Sequence, residues 1–178
     1  MPNWCNNTLT IQGPTKTLKP LWDEANKEGS GLLQAMKPIG KWEYDTAVEA
    51  WGTKWDVDTE GLEYTDNGDG TAAITGWFDS AWAPPIDAYN SFLDDMDNCS
   101  LEATYEEGGM DFAGIYDNGD DQYLEGISEV CERVVRGTET LEEQDELFQK
   151  LDEEFELIES RREYIEEQMA EEKAKETA

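Results

Sequence analysis

The placement of the helix breakers divides this chain before anything else is considered. All 15 glycines and all 6 prolines precede Thr138. Beyond it the residues are almost entirely Glu, Lys, Arg, Leu, Phe and Ile, so no backbone feature there interrupts a helix. Leu141, Phe148, Leu151, Phe155, Ile158, Ile165 and Met169 recur at a and d positions of successive heptads, with Gln144 and Arg162 as polar interruptions. Thr140 and Glu143 supply a capping-box pattern at the start. The spacing predicts one amphipathic acidic helix over 138–176, with 127–137 as the joint that precedes it. At 1.5 Å per residue, about 35 residues reach roughly 50 Å. An apolar stripe of that length is left wet on an isolated helix. It is expected to form a coiled-coil homodimer with a second copy of the chain, or to fold back on the rest.

The segment 1–126 reads differently. It holds most of the 7 Trp, 7 Tyr and 5 Phe, enough to build a core that a disordered acidic chain would lack. Asn7–Gln12 alternates polar and apolar residues as a half-buried strand does, and Gly13-Pro14 ends it. A helix over 16–28 presents Leu18, Leu21, Trp22 and Ala25, and short helical turns are expected at Leu32–Met36 and Glu43–Trp51. A hairpin turns at Asp66–Gly70, between a strand read from Trp55 through Tyr64 and one running through Ala72–Phe78. Pro84-Pro85 opens a helix to Met96, Leu101–Tyr105 is a strand, and a second hairpin turns at Asp117–Asp120. The order strand, helix, strand, strand, helix, strand predicts an α+β fold. Its plan is a ferredoxin-like antiparallel sheet with helices on one face and a helical insertion after the first helix.

Charge narrows the functional classes. The chain carries 43 acidic residues against 13 Lys and Arg, a formal net charge of −30, and no histidine. Such a field repels nucleic acid and acidic membranes and attracts basic surfaces. Without imidazole, the commonest general base and the commonest metal ligand are missing. Cys5, Cys99 and Cys131 are too far apart for a metal or redox motif and read as reduced thiols. With no apolar leader and no apolar run of spanning length, the expected location is the cytoplasm. No cofactor, no catalytic residue and no metal ligand is expected. The Asp-rich turns lack the ligand spacing of a calcium loop, and adjacent acids are common by composition alone.

Two surfaces remain as candidates. Trp51, Lys54, Trp55 and Asp56, with Trp82, Pro84 and Pro85, combine aromatics, a lone lysine and a rigid Pro-Pro. They suit a groove for a ring or an extended peptide. Filling the core is the competing role for those tryptophans. Asp152, Glu153, Glu156, Glu159, Glu163 and Glu166 form an acidic interface along the tail, which carries 16 acids against five bases.

Several motifs together carry a resemblance. Met1-Pro2-Asn3-Trp4-Cys5-Asn6-Asn7, Trp51-Gly52-Thr53-Lys54-Trp55-Asp56 and Phe78-Asp79-Ser80-Ala81-Trp82-Ala83-Pro84-Pro85 resemble the signatures of the YubB ferredoxin-like family. Tyr105–Gly108 with Phe112–Gly114 resembles its closing motif, although Glu107 stands where the family pattern has proline. The resemblance spans residues 1 to about 116. It implies a ferredoxin-like fold and carriage by phages or plasmids, and it implies no activity. The expected function is therefore non-enzymatic: an accessory protein that binds a basic host or defence protein, as a nucleic-acid mimic, without binding nucleic acid or membrane itself. The alternative is a small-ligand or peptide-binding domain that uses the Lys54 groove, with the tail serving oligomerisation.

Overall fold

The computed structural model describes residues 2–176; Met1 of the opening motif lies outside them. Strand β1 (Trp4–Pro14) leads into α1 (Thr15–Ala25), α2 (Leu32–Met36) and α3 (Tyr44–Trp51). The hairpin β2 (Leu62–Asp66) and β3 (Thr71–Ala81) follows, then α4 (Ile86–Asp95) and β4 (Ser100–Glu107). A second hairpin, β5 (Phe112–Asp117) and β6 (Asp120–Glu125), precedes α5 (Ile127–Val135), α6 (Glu146–Phe155) and α7 (Leu157–Glu176). The strands form one antiparallel sheet in the order β2-β3-β1-β4-β5-β6. Long β1 lies near its middle because its side chains alternate cleanly: Cys5, Asn7, Leu9 and Ile11 are buried, and Asn6 and Gln12 are exposed.

On the first face, α1 to α4 cover Leu9, Ile11, Ile74, Phe78 and Leu101, with Tyr89 and Phe92 of α4 fully buried. Each large apolar side chain enclosed there contributes about 1.5–3 kcal/mol of transfer free energy.

The expectation of helices on one face alone is corrected by a second core. Ala113, Ile115 and Leu124 point to the opposite face, where α5, α6 and α7 enclose them together with Ile127, Cys131, Phe148, Leu151 and Leu157. Residues 127–137, read as a joint, hold a helix whose Ile127 and Cys131 are buried. The tail is not one helix either. Thr140–Glu143 keeps its capping-box contacts but closes only a 3-10 turn, and Asp145 caps α6 by accepting the Phe148 N–H at 2.8 Å. Glu156 adopts φ 51°, and Asp152 accepts the Ile158 N–H at 2.8 Å to start α7.

The break has a physical reason. An unpartnered stripe gains by folding onto the chain's own sheet, and the turn at Glu156 brings Leu157 and Ile158 against Cys131 and Phe148. Of the expected oligomer seam, Phe148, Leu151, Ile158 and Ile165 are buried in this core, while Leu141, Phe155 and Met169 pack half-buried at its rim. The seam is thus internal. Arg161 fastens α7 to the sheet through Glu106 at 3.0 Å, and Arg136 fastens α5 to α7 through Glu172 at 2.9 and 3.1 Å.

Candidate functional site

The motif after α3 is built from alternating anchors and exposed groups. Trp51 is 2% exposed and donates its indole N–H to the Lys37 carbonyl at 2.8 Å. Gly52 ends α3 at φ 82°, a conformation that favours glycine. Buried Thr53 donates to the Ala81 carbonyl at 2.8 Å, tying the loop to the end of β3. Asp56 accepts from the backbone N–H groups of Leu33, Gln34 and Val57, so it caps α2 and shapes its own loop. Pro84 and Pro85 are buried at the start of α4. Of the seven groove residues expected, Trp51, Asp56, Pro84 and Pro85 therefore hold the scaffold.

Lys54, Trp55 and Trp82 do come together. The Lys54 ammonium lies 4.5 Å from the Trp55 ring centre and 5.0 Å from that of Trp82. Trp82 reaches this position from φ 70°, with its backbone N–H on the Asn3 carbonyl at 2.9 Å. Tyr44 packs edge-on to Trp82 at 6.4 Å, and Trp4 tilts against Trp55 at 6.0 Å. Trp42 donates to the Lys54 carbonyl at 3.0 Å. The lysine is thus bracketed by the protein's own indoles, an arrangement worth about 0.5–1 kcal/mol at an exposed site.

Beside this cluster opens a cleft of about 910 Å³, of whose lining sequence reasoning named only Asp56 as a groove residue. Trp4 and Trp77 line it, with Asp58, Glu60, Glu63 and Asp79 supplying carboxylates. Trp77 is 62% exposed. A signal for it was present: Ala72, Ile74 and Phe78 share one face of β3, so Trp77 and Asp79 point to the other. Asp58, Glu60, Glu63 and Asp79 are all exposed, and among the described residues none pairs with Lys or Arg.

The expected acidic interface is divided by the turn at Glu156. Asp152 serves as the cap described above. Glu159 and Glu166 flank Arg162 at 2.7 and 3.8 Å and are exposed, as are Glu153, Glu156 and Glu163.

Burial pushes the Cys5 thiol up to about 12 and the Cys131 thiol up to about 11, so both stay protonated and poorly nucleophilic. Among the described residues no group of three or more Cys, Asp or Glu is placed to hold a metal ion. No helix among them is long and apolar enough to cross a membrane.

Burial also raises the Asp56 and Asp121 carboxyls above their ordinary value, against hydrogen bonds that lower them. Each holds its proton more tightly folded than unfolded, so its contribution is largest in acid and is lost as pH rises through the raised value. Asp69, Glu139 and Glu172 are shifted down by hydrogen bonds, the first to Thr71, the second to Gln144 and Arg133, the third to Arg136. Their contribution runs the other way and is lost as pH falls through the lowered values. The thermal midpoint is expected to rise as pH falls from neutral toward the ordinary carboxyl range and to fall again below that range. Calorimetry across that range checks it; a midpoint falling steadily from neutral pH contradicts it.

No protein-family model and no curated protein matches the chain. Among solved structures, a match is the crystal structure of protein api92 from Yersinia pseudotuberculosis, described with the family model DUF1281. It is 20% identical with a TM-score of 0.32, and the alignment covers 46% of this chain and 29% of that one. The present chain thus spans less than a third of that protein's length.

Proposed function

We propose that the protein is a non-catalytic accessory protein of a phage or plasmid, acting by stoichiometric binding to a basic surface of a host or defence protein. The carrying observation is the outward display of charge. Of the 43 acidic residues, Glu107 alone is fully buried among those described, and its carboxylate is occupied by the Gly109 and Met110 N–H groups at 2.7 Å. A folded body surrounded by carboxylates competes for cationic grooves that otherwise take phosphates. Glu153, Glu156 and Glu163 on the tail and the acids of the cleft are the contact groups of this reading. The mobile-element origin rests on the YubB resemblance. A ferredoxin-like plan for β1 to β4 is part of the same proposal, supported by the order β2-β3-β1-β4 with α1 and α4 on one face.

Titration against a panel of basic nucleases and helicases over a salt series tests it. Binding is expected at low salt and should weaken by at least about tenfold as salt rises several-fold. Affinity that stays flat across the series removes the proposal.

A further inference from the structure

Strand β3 runs on past the end of its partner. It pairs with β2 over Ala72–Gly76, while on its other side β1 accompanies it as far as Ala81. Alternate residues of an antiparallel strand turn both backbone groups to the same side. Trp77 donates its N–H to the Gly61 carbonyl at 3.0 Å, and the Ala81 carbonyl accepts from Thr53 at 2.8 Å. Asp79 lies between them, so its N–H and C=O turn to that same side. Gly61 and Thr53 occupy the two ends of that side, and among the described residues no strand stands between them. What stands there is the cleft, with Asp79 in its wall.

Taken with the reading of a basic partner, on which this inference rests, we propose that the β3 edge receives an extended basic peptide segment of that partner. The segment crosses the edge at Asp79, between the Gly61 contact at Trp77 and the Thr53 contact at Ala81, and bridges to the Asp79 N–H and C=O. Three features select that occupant. The Asp79 N–H and C=O offer a pair of main-chain hydrogen bonds in a direction that an extended peptide satisfies and a globular surface does not. Asp58, Glu60, Glu63 and Asp79 face the space without cations, so an arginine or lysine side chain relieves their mutual repulsion, and an acidic peptide or a nucleic acid adds to it. Trp77 offers an indole on which a guanidinium stacks, as Lys54 already does on Trp55 and Trp82 in the same protein. The Asp79 contacts set the register, and basic side chains of the segment reach the carboxylates of the cleft.

The test uses the full chain and a labelled, end-capped octapeptide alternating arginine and threonine, followed by fluorescence anisotropy. Two further peptides carry backbone N-methyl groups, one at every arginine and one at every threonine. A bridge at Asp79 uses a peptide N–H of one parity. One methylated peptide is therefore expected to bind at least about tenfold more weakly and the other nearly as well as the parent. Trp77→Ala and Asp79→Asn are each expected to weaken the parent several-fold with unchanged circular dichroism, and glutamate in place of arginine to abolish binding. Equal binding by both methylated peptides overturns the inference, whether or not the Trp77 variant folds. If basic proteins still bind with steep salt dependence in that case, the wider reading survives and only the bridge at Asp79 falls. If neither peptide nor basic protein binds, both fall.

Discussion

Phe148→Ala is expected to destabilise the protein by about 3–5 kcal/mol, the range for truncating an enclosed phenylalanine. Phe148 is 1% exposed and lies at the centre of the second core, against residues of α5, α7 and the sheet. Removing its ring opens a cavity that rigid neighbours cannot close. The same residue in a coiled-coil seam would behave differently: the substitution would alter the oligomeric state and leave residues 1–126 intact. Urea denaturation with sedimentation distinguishes the two. The expected result is a lower midpoint with no change in mass. Tyr164→Ala provides the matched control, since that side chain is 67% exposed on α7 and its loss should stay within about 0.5 kcal/mol.

This contrast also shows where the sequence was legible. Period-two alternation placed β1, the Asp-Gly and Asn-Gly turns placed both hairpins, and Pro84-Pro85 placed α4. These signals are local, and the structure agrees with them except in the first hairpin, where β2 starts at Leu62 and the residues from Trp55 to Gly61, read as strand, form a loop. The tail misled because its heptads are equally well satisfied by a second chain or by a sheet face within the same chain. Only the break at Glu156 decides, and a glutamate at φ 51° carries no sequence signature. Leu157, outside the a/d pattern, is fully buried, while Phe155 within it is only half-buried. The candidate site was legible in part for a similar reason. Composition marked the Trp-rich loop, but whether each indole faces core or solvent depends on anchors distant in sequence. Trp51 meets Lys37, and Trp82 is held by Asn3. The cleft depends on β2 stopping short of β3, a fact of pairing that neither strand announces.

That early stop is the basis of the second large effect. Gly76 sits opposite Leu62 at φ +143°, and a Cβ there would lie 2.1 Å from the Gly61 carbonyl oxygen and 2.9 Å from the Leu62 Cα. Both neighbours are backbone, so they cannot swing aside as a flexible side chain would. Gly76→Ala is expected to cost about 3 kcal/mol, at the upper end of the strain range for such a conformation. It should also push β2 from the point where Gly61 receives the Trp77 N–H, and so deform the mouth of the cleft. Gly68→Ala isolates the conformational part: φ is +77° there, and no atom lies within 4 Å of the added carbon. That variant should lose only about 1 kcal/mol. Urea midpoints of the two variants, measured side by side, separate backbone crowding from left-handed strain. Equal losses would mean that β2 does not press on β3 at Gly76, and the cleft would then lack the close backbone contact that defines its inner end.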